Sequence, residues 1–300
     1  MRASILVFAA VSAVAPLAAQ GRPDFEFRRE LATGKRLYVQ NIIGDVQVNG
    51  GGGRTVEVSA FKKAGRHGEP EDVTVETIEL GDGVALCVRY PGQRSRRGER
   101  GTEERGTGER GRGEREKNPC SSSSSWNGNQ ERNDTEVNFT IRVPAGLLLK
   151  IGTVSGDLAA ADLEGELELS SVSGDVRLDG GRGPRIELET VSGDVELLDV
   201  RAREVSGNTV SGEVTFRGPV LDDGAYDFTT TSGNISLSLP ERPNATLSAA
   251  TFSGRFSSDL ATTQPTGRRR HRYSATWGSG SARLDVESLS GNIRITTSSR

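Results

Sequence analysis

Apolar and polar residues alternate along most of this chain, and one alternating phrase returns four times between Leu149 and Gly218. Each copy has a Val-Ser-Gly core followed by an acidic residue, and the glycines of these copies are 18, 19 and 19 residues apart. Weaker copies follow at three later glycines, after gaps of 21, 21 and 37 residues. A fixed period of roughly 20 residues predicts a repeat architecture in which similar coils of chain stack on one another. The seven glycines are Gly156, Gly174, Gly193, Gly212, Gly233, Gly254 and Gly291.

Within a repeat, apolar residues occupy the positions two before, two after and four after the glycine. A period of two predicts a strand with one buried face, so we expect all three positions on that face. The residues between them, Arg177, Glu196 and Thr215, are expected to face water. The Ser-Gly pair predicts a tight bend, because Gly accepts positive φ and Ser bonds to nearby backbone. The apolar sets are Val172, Val176 and Leu178; Val191, Val195 and Leu197; and Val210, Val214 and Phe216.

A second short strand in each period alternates leucine or isoleucine with outward-facing glutamate, as in the stretches Leu167 to Leu169 and Ile186 to Leu188. One coil alone buries too little to offset its backbone entropy, whereas stacked coils share hydrogen bonds and a core. We therefore predict an all-β fold, a β-solenoid (β-helix) with coils of about 19 to 21 residues. The expected interior column is Leu178, Leu197, Phe216, Leu237 and Ile295, with Ser258 out of pattern in the Gly254 repeat.

The chain is predicted to hold a signal peptide over 1–20 and a single β-solenoid domain over 21–300. The strand signals Arg36–Gln40 and Asp45–Val48 flank Gly44, so the solenoid is expected to begin before the overt repeats of 149–297. Residues 91–133 are dense in Arg, Glu, Gly and Ser with hardly an apolar residue, which predicts a disordered insertion between two strands. The segments Ala282–Val286 and Ile293–Ile295 are expected to close the stack.

The first twenty residues have the features of a secretory signal: Met1-Arg2, an apolar run over Ala3–Val14, and small residues before a cut near Ala18 to Gly21. This run is too short for a transmembrane span, and no later apolar stretch approaches about twenty residues. The mature protein is therefore expected in the periplasm, on the cell surface or outside the cell, with an uncleaved anchor as the alternative. A formal charge of -3 is too near neutral to indicate a nucleic-acid or membrane partner.

The residue after each glycine could form a column of calcium ligands, but the column contains an arginine, which is incompatible with a continuous row of hard cations. Turn chemistry is the favoured explanation, because Asp, Asn and Ser all form hydrogen bonds that stabilise a bend, so no metal and no cofactor are predicted. The column after the glycines runs Asp157, Asp175, Asp194, Glu213, Asn234, Arg255 and Asn292.

His67 and His271 are the two histidines of the sequence, which leaves too few ligands for a zinc cluster and too few bases for a histidine relay.

A carboxylate-only mechanism stays open, because rows of exposed glutamates could hold paired acids for sugar chemistry. Such rows are more often a solvated face, so we predict no catalytic residue and no enzyme. The glutamates of these rows are Glu166, Glu168, Glu187 and Glu189.

The stretch Gly106–Gly111 matches a dinucleotide fingerprint but lies in the charged low-complexity run, without the strand and helix that such a site needs.

Two further features have more than one interpretation. Cys87 and Cys120 are the only cysteines, and a disulfide between them is allowed in an exported chain without being required. The basic run Arg268–Tyr273, near Trp277, could meet anionic polymers or lipid head groups, although a solvated loop is the simpler interpretation.

The segments Val137–Pro144 and Leu149–Leu158, together with the serial Val-Ser-Gly-Asp phrases, resemble the bacterial DUF4097 family of candidate adhesins. The resemblance covers Arg36 to about Thr297 apart from the charged insertion, and it implies a β-helical fold and surface adhesion without catalytic residues. Our leading hypothesis is an exported, non-enzymatic β-solenoid that binds an envelope polymer or surface protein, or acts as a scaffold, in the cell envelope. The alternatives are a carbohydrate-active β-helix enzyme using paired carboxylates and an envelope-stress sensor or regulator.

Overall fold

A computed structural model describes residues 22–91, 119–120, 133–263 and 271–298. These residues form 22 strands and one short 3-10 turn over Pro70–Asp72. The all-β prediction is confirmed, and the described residues include no helix that is long and apolar enough to cross a membrane. The strands are β1 Phe25–Glu30, β2 Arg36–Gln40, β3 Val46–Gly50, β4 Thr55–Lys63, β5 Thr74–Leu80, β6 Gly83–Arg89, β7 Glu136–Val143, β8 Leu147–Gly152, β9 Leu158–Ala161, β10 Gly165–Ser170, β11 Val176–Asp179, β12 Arg182–Ser192, β13 Val195–Leu198, β14 Arg201–Ser211, β15 Val214–Arg217, β16 Ala225–Ser232, β17 Ile235–Pro240, β18 Ala245–Thr251, β19 Phe256–Ser258, β20 His271–Trp277, β21 Ala282–Ser290 and β22 Ile293–Ser298.

The strands form two sheets of eleven strands each, and through the repeats successive strands alternate between the two sheets. Neighbouring repeats pair in parallel and in register, so that Val195 lies between Val176 and Val214. Stacking of equivalent positions is what the repeat predicted, and the resulting fold is solenoid-like. Sheet A has the order β1-β4-β7-β3-β9-β11-β13-β15-β17-β22-β19, and sheet B has the order β20-β18-β21-β16-β14-β12-β10-β8-β2-β6-β5.

The core lies between the two sheets and consists mostly of aliphatic side chains in columns. The predicted interior column is confirmed, since its first five members are at most 1 % exposed and pair in one continuous register. Ser258 follows Ile295 in that register and is partly exposed, as its polar side chain suggested. Phe216 packs against Tyr226 and Phe228, with ring centroids 5.8 and 5.0 Å apart, and fills the interior where this column becomes aromatic.

The repeated glycine is required by the closeness of successive coils. A Cβ added at Gly193, where φ is +150°, would lie 2.2 Å from the carbonyl oxygen of Gly174 in the preceding coil. The same approach occurs at Gly212, at 1.9 Å from the oxygen of Gly193. Because these neighbours are backbone atoms held in a stack, no side chain can be accommodated at the bend.

The prediction that the valine before each Ser-Gly pair is buried is wrong. Val154, Val172, Val191 and Val210 are 42 to 47 % exposed, whereas the valines two residues after the glycine are fully buried. The reason is the bend itself. The buried residue before the bend, such as Thr190, and the next buried one, Val195, are an odd number of positions apart, so the bend reverses which alternate residues point inwards.

The prediction that the last two segments close the stack is also wrong. Strand β22 lies between β17 and β19, with Ile293 beside Ile235 on one side and Phe256 on the other. The opposite end mirrors this arrangement, since β2 and β3 lie one layer inside β6 and β7. Parallel pairing depends on the match between two strand edges and not on their order in the chain, so the repeat spacing could not reveal the insertion.

Antiparallel strands cover parts of both ends of the stack. Strands β4 and β1 extend sheet A at the first end, β5 extends sheet B there, and β20 lies antiparallel to β18 at the other end of sheet B. Unpaired edges of parallel sheets invite pairing with other chains, and such covering strands limit that exposure.

Cys87 and Cys120 form a disulfide with a Cα–Cα distance of 5.4 Å. The bridge fixes one point of the insertion against the outer side of sheet B, where Arg89 donates a hydrogen bond to the carbonyl oxygen of Cys120 at 2.8 Å. The signal-peptide prediction, most of the 91–133 insertion, the Gly106–Gly111 stretch and residues 268–270 of the basic run lie outside the described residues.

Candidate functional site

The outward-facing side of sheet B between β8 and β21 carries three parallel rows of side chains, and we call it the lateral face. Each strand contributes three alternate residues, and the pairing register aligns them with those of the neighbouring strands. Row one is Leu148, Glu166, Arg185, Glu204, Ala225 and Arg283; row two is Lys150, Glu168, Glu187, Ser206, Asp227 and Asp285; row three is Gly152, Ser170, Glu189, Asn208, Thr229 and Glu287.

Carboxylates outnumber cations on the lateral face, and the cations are engaged by neighbouring acids. Arg185 donates a hydrogen bond to Glu187 at 2.8 Å and lies 4.0 Å from Glu204. Lys150 pairs with Glu168 at one end of the face, and Arg283 pairs with Asp285 at the other. Exposed ion pairs of this kind contribute about 0 to 1 kcal/mol each, so the charges shape the surface more than they stabilise the fold.

Two carboxyl groups of the lateral face hold their protons more tightly than usual. Partial burial raises the pKa of Glu189, and the charge and hydrogen bond of Glu187 raise it further. Partial burial also raises the pKa of Asp227, with additional repulsion from Asp285. Crowding of acids on a flat sheet therefore makes this face less negative near the acidic end of the pH range than its composition suggests.

The predicted glutamate rows are on the outside of sheet B, as the alternation required. Glu168 lies beside Glu187 in the register, and Arg185 and Glu187 border the same shallow depression of about 240 Å³. The structure thus brings acids and an arginine together on one lateral surface, which is the arrangement that the enzyme alternative needed.

A groove runs along the corner where sheet B ends. One wall is the valine ridge, which we define as Val154, Val172, Val191 and Val210. The other wall is formed by Gln40, Ser170, Glu189 and Asn208, and the buried Thr and Ser of the repeats lie beneath. This corner groove has a volume of about 450 Å³. The sequence did not predict this groove, because the alternation indicated that the ridge valines lie in the core.

Apolar residues also occupy the ridge position at the end of the stack, where Leu289 and Phe252 are 53 and 67 % exposed. The exposed Thr231 of β16 lies between Val210 and Leu289 in the register, so the apolar line runs unbroken from Val154 to Val210, is interrupted once and then resumes. Such a line is unusual on a solvated sheet surface, where alternation predicts polar residues.

The acidic column at the bend serves backbone hydrogen bonding, as the turn interpretation predicted. Asp157 Oδ1 accepts a hydrogen bond from the N–H of Asp175 at 2.9 Å, and Asp194 Oδ1 accepts one from the N–H of Glu213 at 2.7 Å. A second ladder runs beside it, because Thr190 and Thr209 donate to the glycine carbonyl of the preceding coil at 3.0 Å. Within the described ranges, no group of three or more His, Cys, Asp or Glu could hold a metal ion.

The remaining candidates lie on other parts of the described chain. The backbone N–H of His67 donates to Asp134 at 2.9 Å in an exposed loop. His271 begins strand β20. Tyr273 of the same strand stacks on Phe256, with ring centroids 4.2 Å apart. The indole of Trp277 donates to the carbonyl oxygen of Ala261 at 2.8 Å. The aromatic residues near the basic run therefore pack on the protein itself.

Two solved structures are similar to this chain. One solved structure is a candidate cell adhesion protein from Clostridium sporogenes, 13 % identical over 92 % of this chain and 100 % of that chain, with a TM-score of 0.37. Another is a candidate adhesin from Bacteroides fragilis, 11 % identical over 90 % of this chain and 96 % of that chain, with a TM-score of 0.39. No curated protein matches the chain. The family model described as Toastrack DUF4097 matches residues 135–296, slightly more than half of the sequence, and the chain therefore belongs to the DUF4097 family.

Proposed function

We propose that this protein is an exported, non-enzymatic β-solenoid that acts as an adhesin-like binding or scaffold protein of the bacterial cell envelope. The observation that carries the proposal is the lateral face with its corner groove. In-register stacking holds polar side chains in straight rows across six neighbouring strands, beside a line of exposed valines. A rigid surface with repeated polar and apolar positions suits a long, repetitive ligand better than a small one.

The proposed coils have about 19 to 21 residues, as the repeat period suggests. The register between neighbouring strands supports this size, with shifts of 19 residues from Val176 to Val195 and 21 from Val214 to Ile235. The shift from Leu158 to Val176 is 18 residues, so coils at the start of the overt repeats are slightly smaller.

Export is supported by two independent features. The first twenty residues have the charged, apolar and small-residue regions of a secretory signal. The disulfide between Cys87 and Cys120 fits an oxidising compartment, because cytosolic reductants keep most thiols reduced. Both features support the proposed periplasmic, surface or extracellular location.

Co-sedimentation of the purified chain with envelope fractions tests the binding function. We expect the protein to pellet with insoluble peptidoglycan or with surface polysaccharide and to leave the polymer unchanged, as measured by released reducing ends. A protein that stays in the supernatant with every envelope fraction, or that shortens the polymer, contradicts the proposal.

A carbohydrate-active enzyme is the second candidate, and the Glu187–Glu189 pair is the observation that favours it. Glu189 has a raised pKa and shares a hydrogen bond with Glu187, while Arg185 borders the pair. Two neighbouring carboxyl groups, one of them with a raised pKa, are the material of acid and base catalysis on sugars. Release of reducing ends that Glu187→Gln and Glu189→Gln both abolish would establish this alternative.

A further inference from the structure

The valine ridge is the part of the proposed binding surface whose chemistry restricts the ligand most. Each ridge valine is nearly half exposed, although the other outward rows of sheet B are mainly polar. Contacts between branched side chains on neighbouring strands stabilise a sheet. Threonine has the same branched shape and would provide most of this contact without exposing a second methyl group, so packing alone does not require valine here.

The chemistry of the corner groove limits what can bind there. Among the described residues that line it, Glu189 is the single charged side chain, and none is lysine or arginine. The amide group of Asn208 donates to Ser206 at 2.9 Å and also hydrogen-bonds Glu189, while Asn208 Oδ1 is a buried atom without a donor among the described residues. The accessible charge of the polar wall is therefore the carboxyl group of Glu189, which can accept from N–H or O–H donors, and the wall has no cation to match an anionic ligand.

The direction of the groove also excludes one common mode of recognition. The groove crosses the strands, and the backbone N–H and C=O groups beneath it already pair with neighbouring coils. A peptide that adds a strand needs an open sheet edge, so it has no backbone partners here. A ligand of this groove must bind through its own side groups, with an apolar side against the valines and donors toward Glu189.

We propose that the corner groove binds a neutral, extended glycan of β-(1→4)-linked, N-acetylated sugars that lies along the stack, with one sugar for each coil. Parallel strands are about 4.8 Å apart, which is close to the length of one sugar in such a chain. Successive sugars of such a chain are turned over relative to each other, so the acetyl methyls of every second sugar and the C–H groups of the sugars between them would contact the valine ridge. The hydroxyl and acetamido N–H groups on the other side of the chain would donate to the polar wall. This inference rests on the proposed binding function and names the site and the ligand class.

The test is a titration of the full protein, labelled at its valine methyl groups, with a hexamer of β-(1→4)-linked N-acetylglucosamine, followed by NMR. We expect the methyl signals of Val172 and Val191 to shift while those of the buried Val176 and Val195 do not. The double variant V172T/V191T keeps the branched shape and should bind about tenfold more weakly, which corresponds to about 1.4 kcal/mol. The matched control is Glu196→Gln on the outer side of sheet A, which should bind like the wild type.

Several outcomes overturn the inference and separate it from the proposed function. Equal binding by V172T/V191T, or shifts confined to other methyl groups, removes the groove assignment while a glycan-binding function stands. Failure to bind the hexamer, with continued pelleting on envelope fractions, shows that the ligand class is wrong. Concentration-dependent dimerisation that V172T/V191T abolishes shows that the ridge is a self-interface. If the wild type binds neither the hexamer nor any envelope fraction, both proposals are contradicted.

Discussion

Asp175 Oδ1 accepts a hydrogen bond from the backbone N–H of Asp194, which lies 2.8 Å away at the same point of the next coil. This contact repeats along the corner, and asparagine takes the same role at Asn138 and Asn234. The recurring acid is therefore a hydrogen-bond acceptor for an amide that the sheet ladder leaves free at the bend, and its charge is not needed for that role.

Replacing Asp175 tests this account of the repeat. Asp175→Ala leaves the amide of Asp194 without its acceptor and should lower the free energy of unfolding by about 1 to 2 kcal/mol, as measured by urea denaturation. Asp175→Asn keeps an acceptor oxygen and should change the free energy of unfolding by only about a few tenths of a kcal/mol. If a chelator lowered the melting temperature of the wild type, or if Asn were as harmful as Ala, metal binding would explain the column better.

Two adjacent residues of strand β13 test the register of the core. Leu197 is fully buried between Leu178 and Phe216, so Leu197→Asp places a charge in the core, costs more than about 4 kcal/mol and should collapse the stack. Glu196 points outwards and pairs with Arg177 at 2.6 Å, so Glu196→Lys should cost no more than about 1 kcal/mol. Circular dichroism melts distinguish the two variants, and equal losses would refute the register.

The glycine of the bend offers a test with a matched control. Gly193→Ala introduces a Cβ that would lie 2.2 Å from a backbone oxygen at a φ of +150°, and the strain should cost about 2 kcal/mol or more. Gly52→Ala adds a methyl group where no atom lies within 4 Å, so its melting temperature should stay near that of the wild type. A melting temperature for Gly193→Ala equal to that of Gly52→Ala would show that the coils are not this close.

The disulfide gives a prediction that depends on the insertion. Cys87 and Cys120 are 33 residues apart, and closing a loop of that length stabilises a fold by about 3 to 4 kcal/mol in the chain-entropy model. Cys120→Ser should therefore lower the urea midpoint strongly, and a reductant should do the same to the wild type without further effect on the variant. Insensitivity of the wild type to reductant would contradict a structural role.

Local alternation was sufficient to predict the core columns but not the surface. Leu178 and Leu197 follow directly from the period of two, because parity is constant within one strand. Val172 and Val191 were wrongly predicted to be buried, because the bend reverses which alternate residues point inwards. The number of residues in a bend depends on its geometry, which the alternation within a strand does not show. The sequence did contain a sign of this reversal, namely a Ser or Thr next to each of these valines. Ser171 and Thr190 are buried, and their hydroxyl groups donate hydrogen bonds to the glycine carbonyls of the preceding coil.

The order of coils was beyond the repeat pattern. The gap from Gly254 to Gly291 is consistent with two periods in sequence, yet the chain first builds the outer layer and then returns to fill the inner one. Strand β20 made this possible by running antiparallel to β18 before the chain turns back. Such pairing is decided by contacts between distant strands, which alternation within one strand does not encode.

The raised pKa of Glu189 predicts a pH dependence of stability with a definite sign. Burial and the neighbouring Glu187 disfavour the ionised carboxyl in the folded state, so the pKa of Glu189 is higher there than in the unfolded chain. The stability that protonated Glu189 contributes is therefore complete below the ordinary glutamate pKa of about 4.3 and is lost as the pH rises through the raised value. Glu189→Gln removes this penalty and should be more stable than the wild type at pH 7, with the advantage vanishing toward pH 4 as measured by thermal melts. Glu187→Gln removes one of the causes, so an NMR titration should find the pKa of Glu189 lowered in that variant, and an unchanged value would show that Glu187 does not act on it.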